Sequence, residues 1–130
     1  MSRLVSLALL ALCAAGCVTK YQPLSRTGGY VEVPLGADKV DVSFSGSSML
    51  PPDMLEVYLL YRCAEVTKAA GHDYFTIEAR SAEPRGGGHP THPQYVRATI
   101  EFSDKKPSGK GEHYKVSDLE QQLEPYIEDK

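Results

Sequence analysis

Three cysteines and four histidines are the side chains with which this chain could do chemistry of its own. Cys17 directly follows Ala14, Ala15 and Gly16. Small side chains there leave room for an enzyme that alkylates the thiol with a diacylglyceryl group and for a peptidase that then cuts before it. Cys13 does not fit this chemistry, because the bulky Leu12 precedes it; the weak point at Cys17 is Ala14, where such sites more often carry Leu. The competing reading is an ordinary export signal cut near Gly16. Cys63 lies among apolar residues at helical spacing and is expected to be an inert core thiol rather than a nucleophile. In His89-Pro90-Thr91-His92 two imidazoles three residues apart could share one ion, with His113 and His72 elsewhere in the chain. The surrounding stretch is rich in glycine and offers no carboxylate to orient the rings, so a flexible polar loop is expected and no metal or cofactor. No Gly-x-Ser-x-Gly elbow, phosphate loop, Cys-x-x-Cys or His-Glu-x-x-His pattern occurs, and no enzymatic activity is expected.

The stretch before Cys17 supports the lipid-attachment reading. Arg3 is followed by an apolar run from Leu4 to Ala15 broken only by Ser6, about 12 residues where a membrane span needs roughly 20. A basic start, a short apolar stretch and small residues describe a secretory signal over residues 1–16. Ending in Ala14-Ala15-Gly16-Cys17, it resembles a bacterial lipobox. Removing it takes away Arg3 and no acid, moving the net charge from −3 to −4. Nucleic acid is then excluded as a partner, since a phosphate backbone calls for a concentrated basic face. The local excess at Lys105, Lys106 and Lys110 sits in a Pro/Gly-rich stretch beside Asp104 and Glu112 and reads as a solvated loop. With Cys17 lipidated, Cys63 has no intramolecular thiol to pair with.

The elements behind these residues are read from periodicity. Residues 17–29 have no apolar period and end in Gly28-Gly29, as expected of a lipidated tether lifting a domain, residues 30–130, off a membrane. Val31, Val33 and Leu35 alternate with Tyr30, Glu32 and Pro34, predicting a first strand at a sheet edge. Val40, Val42 and Phe44 alternate with polar residues in a second, half-buried strand. A helix is predicted from Pro52 to Ala70, with Pro at its start, Asp53 and Glu56 early, Lys68 late and Gly71 as the stop. Its face at Leu55, Leu59, Cys63, Val66 and Ala70 should pack on the sheet. Phe75, Ile77 and Ala79 mark a third strand, residues 81–94 a long loop, and Val96, Ala98, Ile100 and Phe102 a fourth strand. A second loop, 103–115, leads to Ser117-Asp118-Leu119-Glu120, the pattern of a capping box opening a short helix that Pro125 should kink or end.

The order β-β-α-β-β-α predicts an α+β fold, a two-layer sandwich with a mainly antiparallel four-stranded sheet and helices on one face. The long helix also carries a second apolar stripe, Met54, Val57, Tyr58 and Tyr61. It must be covered by the terminal helix through Leu119, Leu123 and Ile127, or stay open as an interaction patch for an envelope protein.

Tyr21-Gln22-Pro23, Gly28-Gly29-Tyr30, Val40-Asp41-Val42-Ser43-Phe44-Ser45-Gly46 and Tyr58-Leu59-Leu60-Tyr61-Arg62-Cys63-Ala64-Glu65-Val66-Thr67, followed by Gly71 and Asp73-Tyr74-Phe75, resemble a family of short, uncharacterised proteobacterial lipoproteins. The likeness covers roughly residues 17 to 80. Cys63 falls where such sequences tend to have Ala, and His72 where an aromatic is more usual. The resemblance implies an envelope lipoprotein and brings no catalytic or ligand residues with it. Val18, rather than Asp, follows Cys17, which in proteobacterial lipoproteins resembles sorting to the outer membrane. The expected protein is therefore lipid-anchored at Cys17, faces the periplasm, and works by contact with another envelope component. The alternative is a metal-binding lipoprotein using the His89/His92 loop.

Overall fold

A computed structural model describes residues 18–83 and 94–127. Cys17 and the His89/His92 pair lie outside the described residues. The elements are β1 (Gly29–Pro34), β2 (Lys39–Ser45), α1 (Pro52–Ala69), β3 (Tyr74–Glu83), β4 (Tyr95–Ser103), β5 (Glu112–Lys115), α2 (Val116–Leu123) and a 3₁₀ turn (Glu124–Tyr126). They form an α+β fold with one antiparallel sheet of order β1-β2-β4-β3-β5. β2 and β3 run parallel to each other with β4 between them, and α1 makes the crossover.

Four apolar residues of β4 set the core. Val96, Ala98 and Ile100 pair with Phe44, Val42 and Val40 of β2, while Ile100 and Phe102 pair with Ile77 and Phe75 of β3. All are buried, so one sheet face is continuous hydrocarbon. α1 packs there through Leu55, Tyr58, Leu59, Tyr61, Cys63, Ala64 and Thr67. Ala70, expected on that face, caps the helix and is exposed, while Val66 is half-buried; Gly71, at φ 85°, ends the helix as expected. Buried Thr67 avoids an unpaired hydroxyl by donating to the Cys63 carbonyl at 2.7 Å.

The sheet has five strands rather than four. β5 falls in the stretch expected to be a loop. Glu-His-Tyr-Lys has no apolar alternation, and the strand exists because β3 offers an open edge, onto which Tyr114 packs against Phe75 at 5.4 Å. β1 is an edge strand, as Pro34 requires, but its faces are the reverse of the apolar alternation. Tyr30 packs against the core and Val33 is 51% exposed. Tyr30, Glu32 and Pro34 pair with Phe44, Val42 and Val40 and so share the helix side of the sheet. In β3 a bulge between Ile77 and Ala79 inserts Glu78. The extra residue reverses the facing of the rest of the strand. Ala79, expected inward, is exposed, and Arg80 turns to the helix side to bridge Glu56 of α1 and Glu112 of β5.

α2 starts at Val116, with Lys115 at the cap position and no side-chain cap. The expected Ser117/Glu120 box is not made. The Val116 N–H donates instead to the Asp73 carbonyl at 2.9 Å, and Glu120 reaches Lys68 at 3.2 Å. Regular helix ends before Pro125, as expected. Over β2 and β4 the sheet face away from the helices is polar: Asp41 accepts from Thr99 Oγ1 at 2.6 Å and from Arg97, and Lys39 lies 3.1 Å from Glu78.

Candidate functional site

Residues 18–29 are where the structure departs most from the sequence expectation. The segment expected to be a free tether is docked. Tyr21 is only 6% exposed and sits in an aromatic cluster with Tyr30, Phe44, Tyr58 and Tyr61, ring centroids 5.1, 6.3, 5.6 and 5.3 Å away. Offset and edge-on rings at such separations attract through their quadrupoles as well as by excluding water. The Tyr21 hydroxyl donates to Glu65. Burial, reinforced by that carboxylate, pushes the phenol pKa well above its ordinary value, so it stays a neutral donor. Arg62 closes the cluster. Its guanidinium lies 3.9 Å from the centre of the Tyr30 ring, donates from Nε to Glu32 at 3.2 Å and from a terminal nitrogen to the other oxygen of the same carboxylate, and lies 3.7 Å from Glu65. Burial opposes the charge, but the bidentate Glu32 carboxylate outweighs it and holds Arg62 protonated. This is why Glu32 faces the helix layer: Arg62 supplies the counter-charge that a half-buried carboxylate needs.

Closer to the N-terminus, Thr19 is buried. Its hydroxyl donates to the Thr27 carbonyl and accepts from the Ser47 N–H at 2.7 Å. The intervening turn depends on Gly28 and Gly29, at φ 109° and 137°. A Cβ on Gly28 would lie 2.2 Å from the Ser45 carbonyl oxygen, and one on Gly29 2.5 Å from the Gln22 and Pro23 carbonyl oxygens. The two glycines are thus needed for close backbone approach, not for looseness. Tyr21, buried between two stretches of polar residues, was the overlooked signal.

Of the two outcomes expected for the stripe at Met54, Val57, Tyr58 and Tyr61, cover by the terminal helix or an open interaction patch, the structure has the stripe largely covered. Tyr58 and Tyr61 are buried and Met54 and Val57 half-buried. The cover comes from two directions. Tyr21 lies over both tyrosines, and Leu119 and Ile127 are buried on the α2 side with Leu123 half-buried, where Tyr61 Oη donates to Glu124 at 2.5 Å. A hollow of about 330 Å³ lies between the helices and is lined by Tyr61, Glu65, Lys68, Ala69, Glu120 and Glu124. Its polar groups are engaged with one another, Tyr61 with Glu124 and Lys68 with Glu120 at 3.2 Å.

The remaining candidates among the described residues are Cys63, His72 and His113. Cys63 is fully buried and unpaired, and burial pushes its thiol far above the ordinary range. His72 stacks on Phe102 with ring centroids 5.3 Å apart and has Nδ1 2.9 Å from Asp104, so its ring does the packing an aromatic would do. His113 Nδ1 is 3.1 Å from the Gly111 carbonyl. Among the described residues no group of three or more His, Cys, Asp or Glu could hold a metal, and no helix is long and apolar enough to cross a membrane. Comparison of the chain with protein-family models, with curated proteins and with solved structures gave no match.

Proposed function

We propose that this is a lipid-anchored, non-catalytic protein of the bacterial cell envelope. It is held through Cys17 in the periplasm-facing leaflet of the outer membrane and acts by contact with another envelope component. The observation that carries the reading is Cys17 itself, placed after Ala14-Ala15-Gly16 and an apolar run too short to span. One acyl chain binds a membrane marginally and two or more give a stable anchor, so a diacylglyceryl cysteine suffices. Val18 in place of Asp supports the outer membrane. A two-layer arrangement, with both helices over one sheet face, fits such a contact role.

Radiolabelled fatty acid should enter the wild-type protein and not Cys17→Ser, and only the wild type should stay with membranes after a salt wash. A Cys17→Ser protein that still sediments with washed membranes refutes the anchor.

A further inference from the structure

The docked N-terminal segment decides how such an anchor would hold the domain. A free segment 17–29 would have an end-to-end distance of roughly 20 Å, by the scaling of flexible chains, and the domain could turn in any direction. Here Thr19 is already part of the fold. Two residues of extended backbone span about 7 Å at most. That is comparable to the headgroup layer of one leaflet, roughly 5 to 7 Å. A lipid on Cys17 therefore brings the Thr19 end of the domain to the bilayer surface.

The composition of that end agrees. Thr19 bonds to Ser47, in the stretch that leaves β2 and enters α1, and Gly46 donates to the Gln94 carbonyl just before β4, which places the same end of the sheet there. Gly46-Ser47-Ser48-Met49-Leu50-Pro51-Pro52 contains no charged residue. Within it Met49 is 62% exposed, and Val18, beside Cys17, is 41% exposed. Large apolar side chains left in water beside an uncharged stretch fit a lipid interface, and the exposed charges of Lys20 and Glu83 border it at the level of the headgroups. The opposite end of the sheet also exposes an apolar side chain, Leu35, but differs in its density of charge. Ser103 leads there into Asp104-Lys105-Lys106 and the Lys110 turn, which are charged and exposed.

We propose that the domain sits on the membrane in one orientation, with Val18 and Met49 in the headgroup layer and the Lys105/Lys106 turn pointing away. The proposal rests on lipidation at Cys17, and the occupant of this surface is the leaflet that holds that lipid. The domain is a seated one whose exposed far end and flanks remain for other envelope components.

The chain has no tryptophan, so a single one introduced at either end reports its own surroundings. The full-length lipidated protein is placed in phosphatidylethanolamine/phosphatidylglycerol vesicles containing lipid brominated high on its acyl chains. Flotation is measured first. Met49→Trp is expected to show blue-shifted emission and quenching several-fold stronger than Lys105→Trp. A long Gly/Ser insert between Val18 and Thr19 should lower the Met49→Trp quenching to that of Lys105→Trp. Equal quenching at both ends of floated protein, or stronger quenching at Lys105→Trp, overturns the orientation while leaving the anchor intact. Quenching unchanged by the insert overturns the short link as its cause. Protein that does not float with the vesicles overturns the anchor, and the orientation with it.

Discussion

Replacing Tyr21 by alanine tests whether residues 18–24 belong to the domain. Truncating a buried aromatic costs about 3 to 5 kcal/mol, from lost burial and the cavity left behind. Tyr21 lies at the margin of the core, where neighbours can partly close in, so a loss of about 3 kcal/mol is expected. Part of it belongs to the hydroxyl, which donates to Glu65. That carboxylate is still 31% exposed and keeps Arg62 nearby, so Tyr21→Phe should cost only about 1 kcal/mol. Equilibrium urea unfolding of a soluble form lacking residues 1–17 is the assay. With a slope of about 1 to 1.5 kcal/mol per molar urea for a domain of this size, Tyr21→Ala should lower the midpoint by roughly 2 to 3 M and Tyr21→Phe by less than about 1 M. A residue in a free tether would change stability by less than about 0.5 kcal/mol. Both variants falling within that margin would refute the docking, and with it the seated orientation.

Gly28→Ala should cost about 2 kcal/mol or more, because a methyl group at φ 109° meets the Ser45 carbonyl, whereas Gly36→Ala has open space and should be neutral or slightly stabilising; thermal denaturation of the pair separates them. A thiol reagent should label Cys63 slowly in the folded domain and rapidly in urea, and fast stoichiometric labelling of native protein would return Cys63 to the surface. At Asp41, burial pushes the carboxyl pKa up, but the Thr99 hydroxyl and the Arg97 guanidinium outweigh it and hold it below its ordinary value. Its contribution is therefore present above the unfolded value of about 3.9 and is lost as pH falls through the lower folded value. Asp41→Asn should make urea midpoints less dependent on pH below about 4, and an unchanged acid limb would show that the Arg97 pair does not couple to folding.

The strands that read clearly were β2 and β4, where each inward position is apolar and each outward one polar, so a one-residue slip would put Val42 or Ile100 in water. α1 was legible for a similar reason, with Pro52, Asp53, Lys68 and Gly71 marking its ends. β1 was misread because both its faces carry apolar residues, and hydrophobicity alone does not choose between Tyr30 and Val33. The Ser117/Glu120 pattern misled because the Asp73 carbonyl already engages the Val116 N–H, so the chain turns helical one residue early.

The sequence by itself determined what local chemistry determines: a short apolar run before a cysteine with small neighbours, the periods of β2 and β4 and of β3 up to its bulge, and the helix α1 with its stop at Gly71. The tertiary structure decided whatever depends on a partner distant in the chain. β5 needs the free edge of β3, and the inward turn of Glu32 needs Arg62, 30 residues away. The place of Tyr21 needs rings supplied by β1, β2 and α1 together. A segment without periodicity gives no sign of its order beyond a lone aromatic such as Tyr21, because that order comes from the pocket it fills and not from its own backbone preference.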